Sequence, residues 1–504
     1  MIIKNLHSAY LTTAVIFGLV SPLTTASNSI TLPTTDFSKA ETYEALPAGA
    51  LTYKKRINAN AFSHSSENMS FEKKLDFALG NALFKKIWVS SPSSTQSSDG
   101  LGPLFNARAC QRCHIKDGRG HPPNSASDNR VSMLLRLGIP PQNIQKEALN
   151  NKSLVNTISD PTYGRQLQDH SVAGLHAEGE FVIEYTEKVI ELNGGEFASL
   201  RQPKYRLSNL HYGKPHNDLM VSPRIAPQMI GLGLLEAIDK KDILRQADPE
   251  DKNNDGISGK AQQVWSREHK TIMLGRFGHK AGMPTLNEQN QAAFNGDIGL
   301  ATPLFPQAAG DCTNKQTSCL QSPHGLSAQH DDLHTGLLHT GLLLEVSQKM
   351  TDLVLHYSRN LAVPARRNVS KPEVLAGKAL FYNSGCIACH TPKYITPRKT
   401  LAVEQSYQLI WPYTDLLLHD MGEGLADNFT EAKANGQEWR TPPLWGIGLT
   451  PTVNGHSFYL HDGRARNLLE AILWHGGEAE ASKNKVVLMQ ANKRKQLLEF
   501  IKSL

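Results

Sequence analysis

Two short stretches of the chain combine cysteine and histidine at a spacing that can hold a redox cofactor covalently. They are Cys110-Gln-Arg-Cys113-His114 and Cys386-Ile-Ala-Cys389-His390. The pattern C-x-x-C-H is typical of c-type haem attachment, in which both thiols bond to the vinyl groups of the haem. The histidine that follows can then bind the iron as its proximal axial ligand. The sequence therefore predicts two covalently bound haems, with both motif histidines as iron ligands.

A zinc ribbon and a redox-active dithiol are the alternative interpretations of a C-x-x-C pair. A zinc ribbon places its two C-x-x-C halves about 15–20 residues apart, whereas most of the chain separates these two pairs. A redox dithiol does not require a histidine directly after the second cysteine, and here that histidine occurs twice. Both comparisons favour haem.

The start of the chain predicts export. Lys4 supplies a positive charge, residues 9–20 are mostly apolar but too few to span a bilayer, and Ala26 ends a run of small residues. This pattern indicates a cleaved signal peptide over residues 1–26, with an uncleaved anchor as the alternative. We therefore expect a soluble, exported protein in the periplasm, the compartment in which bacteria attach haem covalently.

The two remaining cysteines, Cys312 and Cys319, lie close together in a Pro-, Gln- and Thr-rich stretch. In an oxidising compartment they are predicted to form a local disulfide. A redox-active pair is the alternative interpretation.

The composition is that of an ordinary globular protein long enough for two or three domains. The chain has 504 residues, of which 39% are hydrophobic. Its net charge of +6 arises from 53 basic and 47 acidic residues, a balance that does not indicate nucleic-acid binding.

A repeat predicts the domain organisation. The pattern G-x-A-L-F starts at Gly80 and again at Gly377, each time in a helical stretch that leads to a C-x-x-C-H motif. This indicates an internal duplication. We expect a mainly α fold with two cytochrome c-like haem domains, residues 27–365 and 366–504. The first would carry a long mixed insertion with short β-strands, among them a hairpin of Phe181-Val-Ile-Glu-Tyr-Thr and Tyr205-Arg-Leu.

One acidic stretch resembles the first half of a calcium-binding loop. Asp251, Asn253 and Asp255 take positions 1, 3 and 5, Gly256 takes position 6, and the carbonyl of Ile257 would be the next ligand. The glutamate expected at position 12 is replaced by glutamine. A calcium site and a plain Asx-turn loop are both consistent with this pattern.

Several further stretches resemble a known family. They are Leu418-His-Asp-Met-Gly, Trp439-Arg-Thr-Pro-Pro-Leu, Tyr459-Leu-His-Asp-Gly, Asp99-Gly-Leu-Gly-Pro-Leu-Phe-Asn-Ala-Arg and Asn254-Asp-Gly-Ile-Ser-Gly. Together they resemble the bacterial di-haem cytochrome c peroxidase superfamily, and within it the di-haem oxidoreductases, also called thiol oxidoreductases. The resemblance covers about residues 71–480. Its motifs are specific to the family but not to a substrate.

The resemblance implies a sixth iron ligand for the second haem. In the peroxidases this ligand follows the histidine of the H-x-G motif by 14 residues, which here leads from His461 to His475. The peroxidases commonly have methionine at that place, and histidine would lower the reduction potential of the haem. Met421 is the rival ligand, although core packing is the ordinary role of such a methionine.

The resemblance also implies a distal pocket at the first haem. In the peroxidases a glutamine and a glutamate ten residues apart flank the open iron face, and Gln168 and Glu178 have that spacing. Such a pair could move a proton during peroxide cleavage, and an ordinary polar surface loop is the alternative. His121 or His176 could instead cap the iron and close the site.

These expectations favour an exported di-haem oxidoreductase with peroxidase-like activity. The C-terminal haem would feed electrons to a reactive N-terminal haem. Expected partners are a small electron-donor or acceptor protein, such as a cytochrome or cupredoxin, and peroxide or another small oxidisable substrate. The alternatives are an electron-transfer cytochrome without substrate chemistry and an oxidase of a protein or organic substrate. The long insertion favours an enzyme, because a simple carrier does not need it.

Overall fold

The computed structural model describes residues 31–55, 57–123, 132–141, 157–325 and 344–504. The predicted signal peptide lies outside the described residues. The α-helices in chain order are α1 (Phe71–Lys85), α2 (Cys110–Cys113), α3 (Leu232–Ala237), α4 (Lys240–Leu244), α5 (Leu286–Ile298), α6 (Thr317–Leu320), α7 (Gln348–Arg359), α8 (Pro372–Asn383), α9 (Thr450–Asn454), α10 (Leu468–Leu473), α11 (Glu480–Val487) and α12 (Ala491–Ser503).

The β-strands are distributed along the chain between the helices, and most of them are short. They are β1 (Val89–Ser90), β2 (Asp99–Leu101), β3 (Leu104–Phe105), β4 (Met133–Gly138), β5 (His170–Ser171), β6 (Glu180–Leu192), β7 (Glu196–Ser208), β8 (Met220–Ile225), β9 (Gln263–Ser266), β10 (Thr271–Leu274), β11 (Tyr394–Ile395), β12 (Leu409–Ile410), β13 (Leu418–Asp420) and β14 (Glu438–Arg440).

The prediction of a mainly α fold is wrong. The structure is 29% helix and 19% strand, and in the described residues the strands form seven two-stranded sheets. The error has a physical reason, since pairs of short strands leave only a few residues of alternating pattern in the sequence. The predicted hairpin is confirmed, but β6 and β7 are longer than predicted and pair antiparallel from Glu180–Ser208 to Leu192–Glu196.

Each C-x-x-C-H motif is preceded by a helix that crosses a second helix at a glycine. Helix α1 crosses α7 at Gly80, and α8 crosses α12 at Gly377. A Cβ atom at Gly80 would lie 2.2 Å from the carbonyl oxygen of Leu353, and one at Gly377 would lie 2.0 Å from that of Gln496. Only glycine lets the two backbones approach so closely. The repeated G-x-A-L-F pattern therefore marks the same helix crossing twice.

The phenylalanine that ends each repeat packs close to the histidine of the motif that follows. The ring centroid of Phe84 lies 6.2 Å from that of His114, and the centroid of Phe381 lies 6.1 Å from that of His390. The two units therefore share both the helix crossing and the position of the aromatic ring. Their assignment to two cytochrome c-like domains stays a prediction.

Segments from outside the C-terminal unit pack firmly against it. Buried Glu44 pairs with the equally buried Arg366 and Lys378. At the tip of the β6–β7 hairpin, the Asn193 amide donates a hydrogen bond to the carbonyl oxygen of Val487 at 3.0 Å. These contacts hold the segment around Glu44 and the β6–β7 hairpin against the part of the chain that carries the second motif.

Substituting the crossing glycines should weaken the fold. Gly80→Ala and Gly377→Ala are each expected to lower the free energy of unfolding by about 1–3 kcal/mol, because the new methyl group forces two helix backbones apart. Denaturant unfolding of the purified protein measures this loss.

Gly296→Ala is the matched control. Gly296 also lies in a helix, α5, but a Cβ atom there would meet nothing within 4 Å. Alanine has the higher helix propensity, so this variant should be as stable as the parent or gain up to about 1 kcal/mol. Equal losses at all three positions would contradict the role of the two crossings.

Candidate functional site

Both C-x-x-C-H motifs open into one connected cavity. All six of their cysteine and histidine side chains form part of its wall. Helices α1, α5, α8 and α12 supply much of its apolar surface, with side chains that include Phe84, Phe294, Phe381, Leu497 and Ile501. The fold therefore brings together two attachment motifs that lie far apart in the sequence.

The first motif histidine is held by a backbone carbonyl from another part of the chain. Nδ1 of His114 lies 2.8 Å from the carbonyl oxygen of Pro227. Because a carbonyl only accepts, Nδ1 carries the proton and Nε2 keeps a lone pair for a metal. Burial lowers the pKa of His114 to about 4. The ring is therefore neutral at physiological pH, as an iron ligand must be.

The second motif histidine has the same arrangement. Nδ1 of His390 lies 2.9 Å from the carbonyl oxygen of Tyr413, and burial lowers the pKa of His390 to about 4. Each motif thus presents a neutral imidazole with a defined tautomer, supported by a carbonyl that the fold supplies.

The motif cysteines do not have the properties of a reactive dithiol. Burial raises the pKa of Cys110 and Cys386 to about 12. Redox-active C-x-x-C thiols have lowered pKa values, because the thiolate is the reactive form. The environment therefore disfavours the redox interpretation of both motifs.

Both candidate sixth ligands of the second haem line the cavity. His475 follows α10, and its Nδ1 lies 2.7 Å from the carbonyl oxygen of Ala471. This contact assigns the proton to Nδ1 and leaves Nε2 free, as in the two motif histidines. His475 is also close enough to His390 to help lower the pKa of that ring. Met421 lines the same cavity, so the choice of His475 stays a prediction.

Four arginines of the cavity wall have no carboxylate within ion-pair distance among the described residues. Arg276 donates to the carbonyl oxygen of Leu235 at 2.9 Å, and Arg440 to that of Gly278 at 3.0 Å. Neutral carbonyls do not balance a guanidinium charge, whereas carboxylates do. Each haem carries two propionate carboxylates, so the wall fits two haems. The four are Arg119, Arg136, Arg276 and Arg440.

The predicted Gln168 and Glu178 lie together but do not line the cavity. The Gln168 amide donates to Oε2 of Glu178 at 2.6 Å, and Nε2 of Gln316 donates to Oε1 at 2.6 Å. Nε2 of Gln168 donates to the carbonyl oxygen of Gly296 at 2.9 Å. Burial raises the pKa of Glu178 to about 8. Gln168 and Glu178 thus form a buried cluster next to α5, in which the Glu178 carboxyl keeps its proton to a higher pH than usual. The catalytic role of the pair stays a prediction.

Two other polar side chains, Gln166 and Asp297, do line the cavity. Nε2 of Gln166 donates to Oδ1 of Asp297 at 2.9 Å. Burial raises the pKa of Asp297, and the carboxylate lies close enough to Cys110 and Cys113 to raise the pKa of both. Neither residue is part of the sequence prediction.

Three aromatic rings of the cavity wall contact one another in series. Trp439 stacks on His461 with ring centroids 3.7 Å apart and 11° between the planes, and His279 meets Trp439 edge-on at 6.5 Å. Nε2 of His279 donates to the carbonyl oxygen of Ile225 at 2.9 Å. Ile225 ends β8, which leads to the carbonyl that holds the first motif histidine, while Trp439 lies in β14, close to the second motif.

The two histidines considered as caps for the first haem do not line the cavity. His121 is buried, with its ring 5.0 Å from that of His456. His176 is exposed and stacks on His211 at 4.7 Å, in a separate surface pocket. The structure therefore brings neither ring to the cavity that both motifs share.

The predicted calcium loop is an exposed series of Asx turns. Oδ1 of Asp251 accepts a hydrogen bond from the Asp255 amide at 3.0 Å. Oδ1 of Asn253 accepts from the same amide at 3.0 Å, and Oδ1 of Asp255 accepts from the Ile257 amide at 2.9 Å. This geometry suits either alternative, so calcium binding stays a prediction.

Two further observations concern the environment of the chain. The predicted disulfide between Cys312 and Cys319 is confirmed, with Cα atoms 6.3 Å apart. Within the described residues, no helix combines the length and apolar character needed to cross a membrane.

Comparisons with known proteins give one extensive match. Residues 44–504 match the model of a family described as "di-haem oxidoreductase, putative peroxidase". A comparison with curated proteins finds no match. Among solved structures, the hydrazine synthase of Kuenenia stuttgartiensis, pressurised with xenon, is 18% identical over 32% of this chain and 58% of that chain, with a TM-score of 0.21. A TM-score of that size does not indicate a shared fold.

The sixth ligand can be tested by substitution. His475→Ala should convert the predicted C-terminal haem to a high-spin form that binds added imidazole or cyanide, because it removes the predicted sixth ligand of that haem. Met421→Ala is the matched control, since it changes a neighbouring side chain of the same cavity and should leave that haem low-spin. Absorption and electron paramagnetic resonance spectra of the ferric protein measure the spin states. The reverse pattern would make Met421 the ligand.

Proposed function

Because the chain belongs to the di-haem oxidoreductase family, we propose that it is an exported, peroxidase-like enzyme with two covalently attached c-type haems. The haem of the second motif transfers electrons, and the haem of the first motif reacts with peroxide or another small oxidisable substrate. When bound, the haems supply the redox chemistry, while the protein supplies attachment, orientation and protons.

The cavity shared by both motifs is the observation that carries this proposal. Its wall holds both attachment turns and both neutral motif histidines. Each histidine is anchored through Nδ1 and leaves Nε2 for an iron. The stack of Trp439 on His461 lies in the same wall. An arrangement of this kind suits two redox centres that exchange electrons.

His475 supports an electron-transfer role for the C-terminal site. His390 and His475 are both anchored through Nδ1 to a backbone carbonyl, so both present Nε2 as a ligand atom. Two such rings would occupy both axial positions and leave none for a substrate. A second histidine in place of methionine also lowers the reduction potential, which favours passing electrons on.

Proton-handling groups support a reactive role for the N-terminal site. Peroxide cleavage needs a group that moves a proton from one oxygen to the other. Asp297 lines the cavity near Cys113 and, because burial raises its pKa, it holds a proton more readily than an exposed carboxyl. Gln168, of the predicted acid/base pair, donates a hydrogen bond to the carbonyl oxygen of Gly296, one residue before Asp297, and its backbone amide donates to Glu178. We therefore assign proton exchange to this cluster, with Asp297 nearest the cavity.

The proposed location is the periplasm. The disulfide between Cys312 and Cys319 supports it, because such bonds persist in oxidising compartments. The proposed partner is a small electron-donor or acceptor protein, a cytochrome or a cupredoxin.

A combined mass and kinetic experiment tests the function. The mature protein should exceed the mass of its processed chain by two haem units, and acid-acetone should not extract them. The protein is then reduced stepwise, the spin state of each haem is recorded, and hydrogen peroxide is added. Asp297→Asn and Glu178→Gln should slow peroxide turnover, by about 10²–10⁴-fold for the group that transfers the proton.

Glu345→Gln is the matched control for these variants. Burial raises the pKa of Glu345 to about 8 as well, but Glu345 does not line the cavity and accepts a hydrogen bond from the Ala301 amide at 2.8 Å. Its turnover should equal that of the parent.

Other outcomes would select the alternatives. Two haems that stay low-spin at every redox level, with no peroxide turnover, would identify an electron-transfer cytochrome. Oxidation of an organic or protein substrate without peroxide reduction would identify an oxidase. A mass increase of one haem or none contradicts the proposal itself.

A further inference from the structure

A histidine bridged by two carboxylates lies against the second attachment motif. Nδ1 of His419 is 2.6 Å from Oε2 of Glu478, and Nε2 is 2.8 Å from Oδ2 of Asp415. The same Nδ1 is 3.5 Å from Sγ of Cys389. His419, in β13, and Asp415 are both buried. We call Asp415, His419 and Glu478 the carboxylate–histidine triad.

The geometry of the triad defines the charge of its histidine. Ionised carboxylates only accept hydrogen bonds, so a ring with a carboxylate oxygen at each nitrogen donates from both and carries a positive charge. Burial opposes this charge, but Asp415 and Glu478 outweigh it and raise the pKa of His419 well above its ordinary value. The triad therefore holds one positive and two negative charges.

The two carboxylates are themselves fixed in place. The amide of Asp415 donates to the carbonyl oxygen of Cys389 at 3.0 Å, which ties the triad to the attachment turn. Oδ1 of Asp415 accepts from the Leu417 amide at 2.9 Å. Glu478 accepts from the Ser258 hydroxyl and from the Asp420 amide. These hydrogen bonds hold the carboxylates of Asp415 and Glu478 in place when the charge of a neighbouring group changes.

We infer that the carboxylate–histidine triad sets the reduction potential of the C-terminal haem through fixed charges beside Cys389. The inference rests on the proposed function, in which Cys389 bonds that haem. Reduction adds one negative charge to a haem, so a nearby positive charge favours the reduced form and a negative charge disfavours it. Such interactions are strong in a buried site because little solvent screens them.

A metal site is the competing interpretation of the same residues. Ligand atoms of Cys389, Asp415 and His419 lie within 4.8 Å of one another. However, a histidine binds a metal through a nitrogen lone pair, and both nitrogens of His419 already face a carboxylate. The ring therefore serves as a charge and not as a ligand.

Two substitutions separate a charge effect from a purely structural one. At pH 6, His419→Gln removes the positive charge and should lower the potential of the C-terminal haem. Asp415→Asn removes a negative charge while Glu478 still holds the protonated ring, so it should raise that potential. Each shift is expected to reach about tenfold in the equilibrium constant of reduction, which is about 59 mV for one electron. A spectroelectrochemical titration of the holoprotein measures both, with the N-terminal haem as an internal control that should not shift.

Glu478→Gln is a second variant that keeps the test decisive if Asp415→Asn folds poorly. It also removes a negative charge and should raise the potential. Shifts of the same sign for His419→Gln and a carboxylate variant would indicate altered packing or solvent access and overturn the inference. An unchanged potential in these variants would overturn it as well. A parent protein without haem at Cys389 would overturn the proposed function and this inference together.

Discussion

A hydrogen-bond acceptor at Nδ1 fixes the tautomer and the orientation in which an imidazole can bind iron through Nε2, and both motif histidines find that acceptor in a distant backbone carbonyl. Pro227 supplies it for His114 at 2.8 Å, and Tyr413 supplies it for His390 at 2.9 Å. A backbone carbonyl group cannot be reoriented by a change of side-chain rotamer, so its position depends on the path of the segment that carries it. The paths of the segment after β8 and of the segment before β13 therefore determine how the two histidine rings are oriented.

The helix crossings provide the complementary constraint. Gly80 and Gly377 bring a second helix into backbone contact with the helix before each motif. The crossing positions the start of each attachment turn, and the carbonyl orients the histidine at its end. Phe84 and Phe381 pack between these two fixed points, at nearly equal distances from their histidines. Because the helix crossing and the distance from phenylalanine to histidine are nearly the same in both units, the repeated pattern forms two similar sites, although the surrounding segments differ.

The features that the sequence predicted correctly depend on residues close together in the chain, such as the disulfide and the β6–β7 hairpin. Features that depend on long-range packing were missed. One of them is Gln166, which reaches the cavity because it forms a β-bridge with Arg136 of the cavity wall, while the catalytic role of Gln168 stays a prediction. Asp297 and His279 stand alone in their segments, so no local pattern indicated them. The many two-stranded sheets likewise depend on partners distant in sequence.

Buried charge links the cofactors to the stability of the fold. A guanidinium that is partly removed from water without an anion is unfavourable, and among the described residues the half-buried Arg276 and Arg440 donate hydrogen bonds only to backbone carbonyls. Propionates that neutralise such arginines would favour the folded chain, since any group that binds only the folded state stabilises it. His419 follows a different rule, because Asp415 and Glu478 already pair with it. The arginines without a carboxylate partner are therefore suited to holding haem propionates, and the triad, whose charges are already paired within the protein, to the tuning role proposed above.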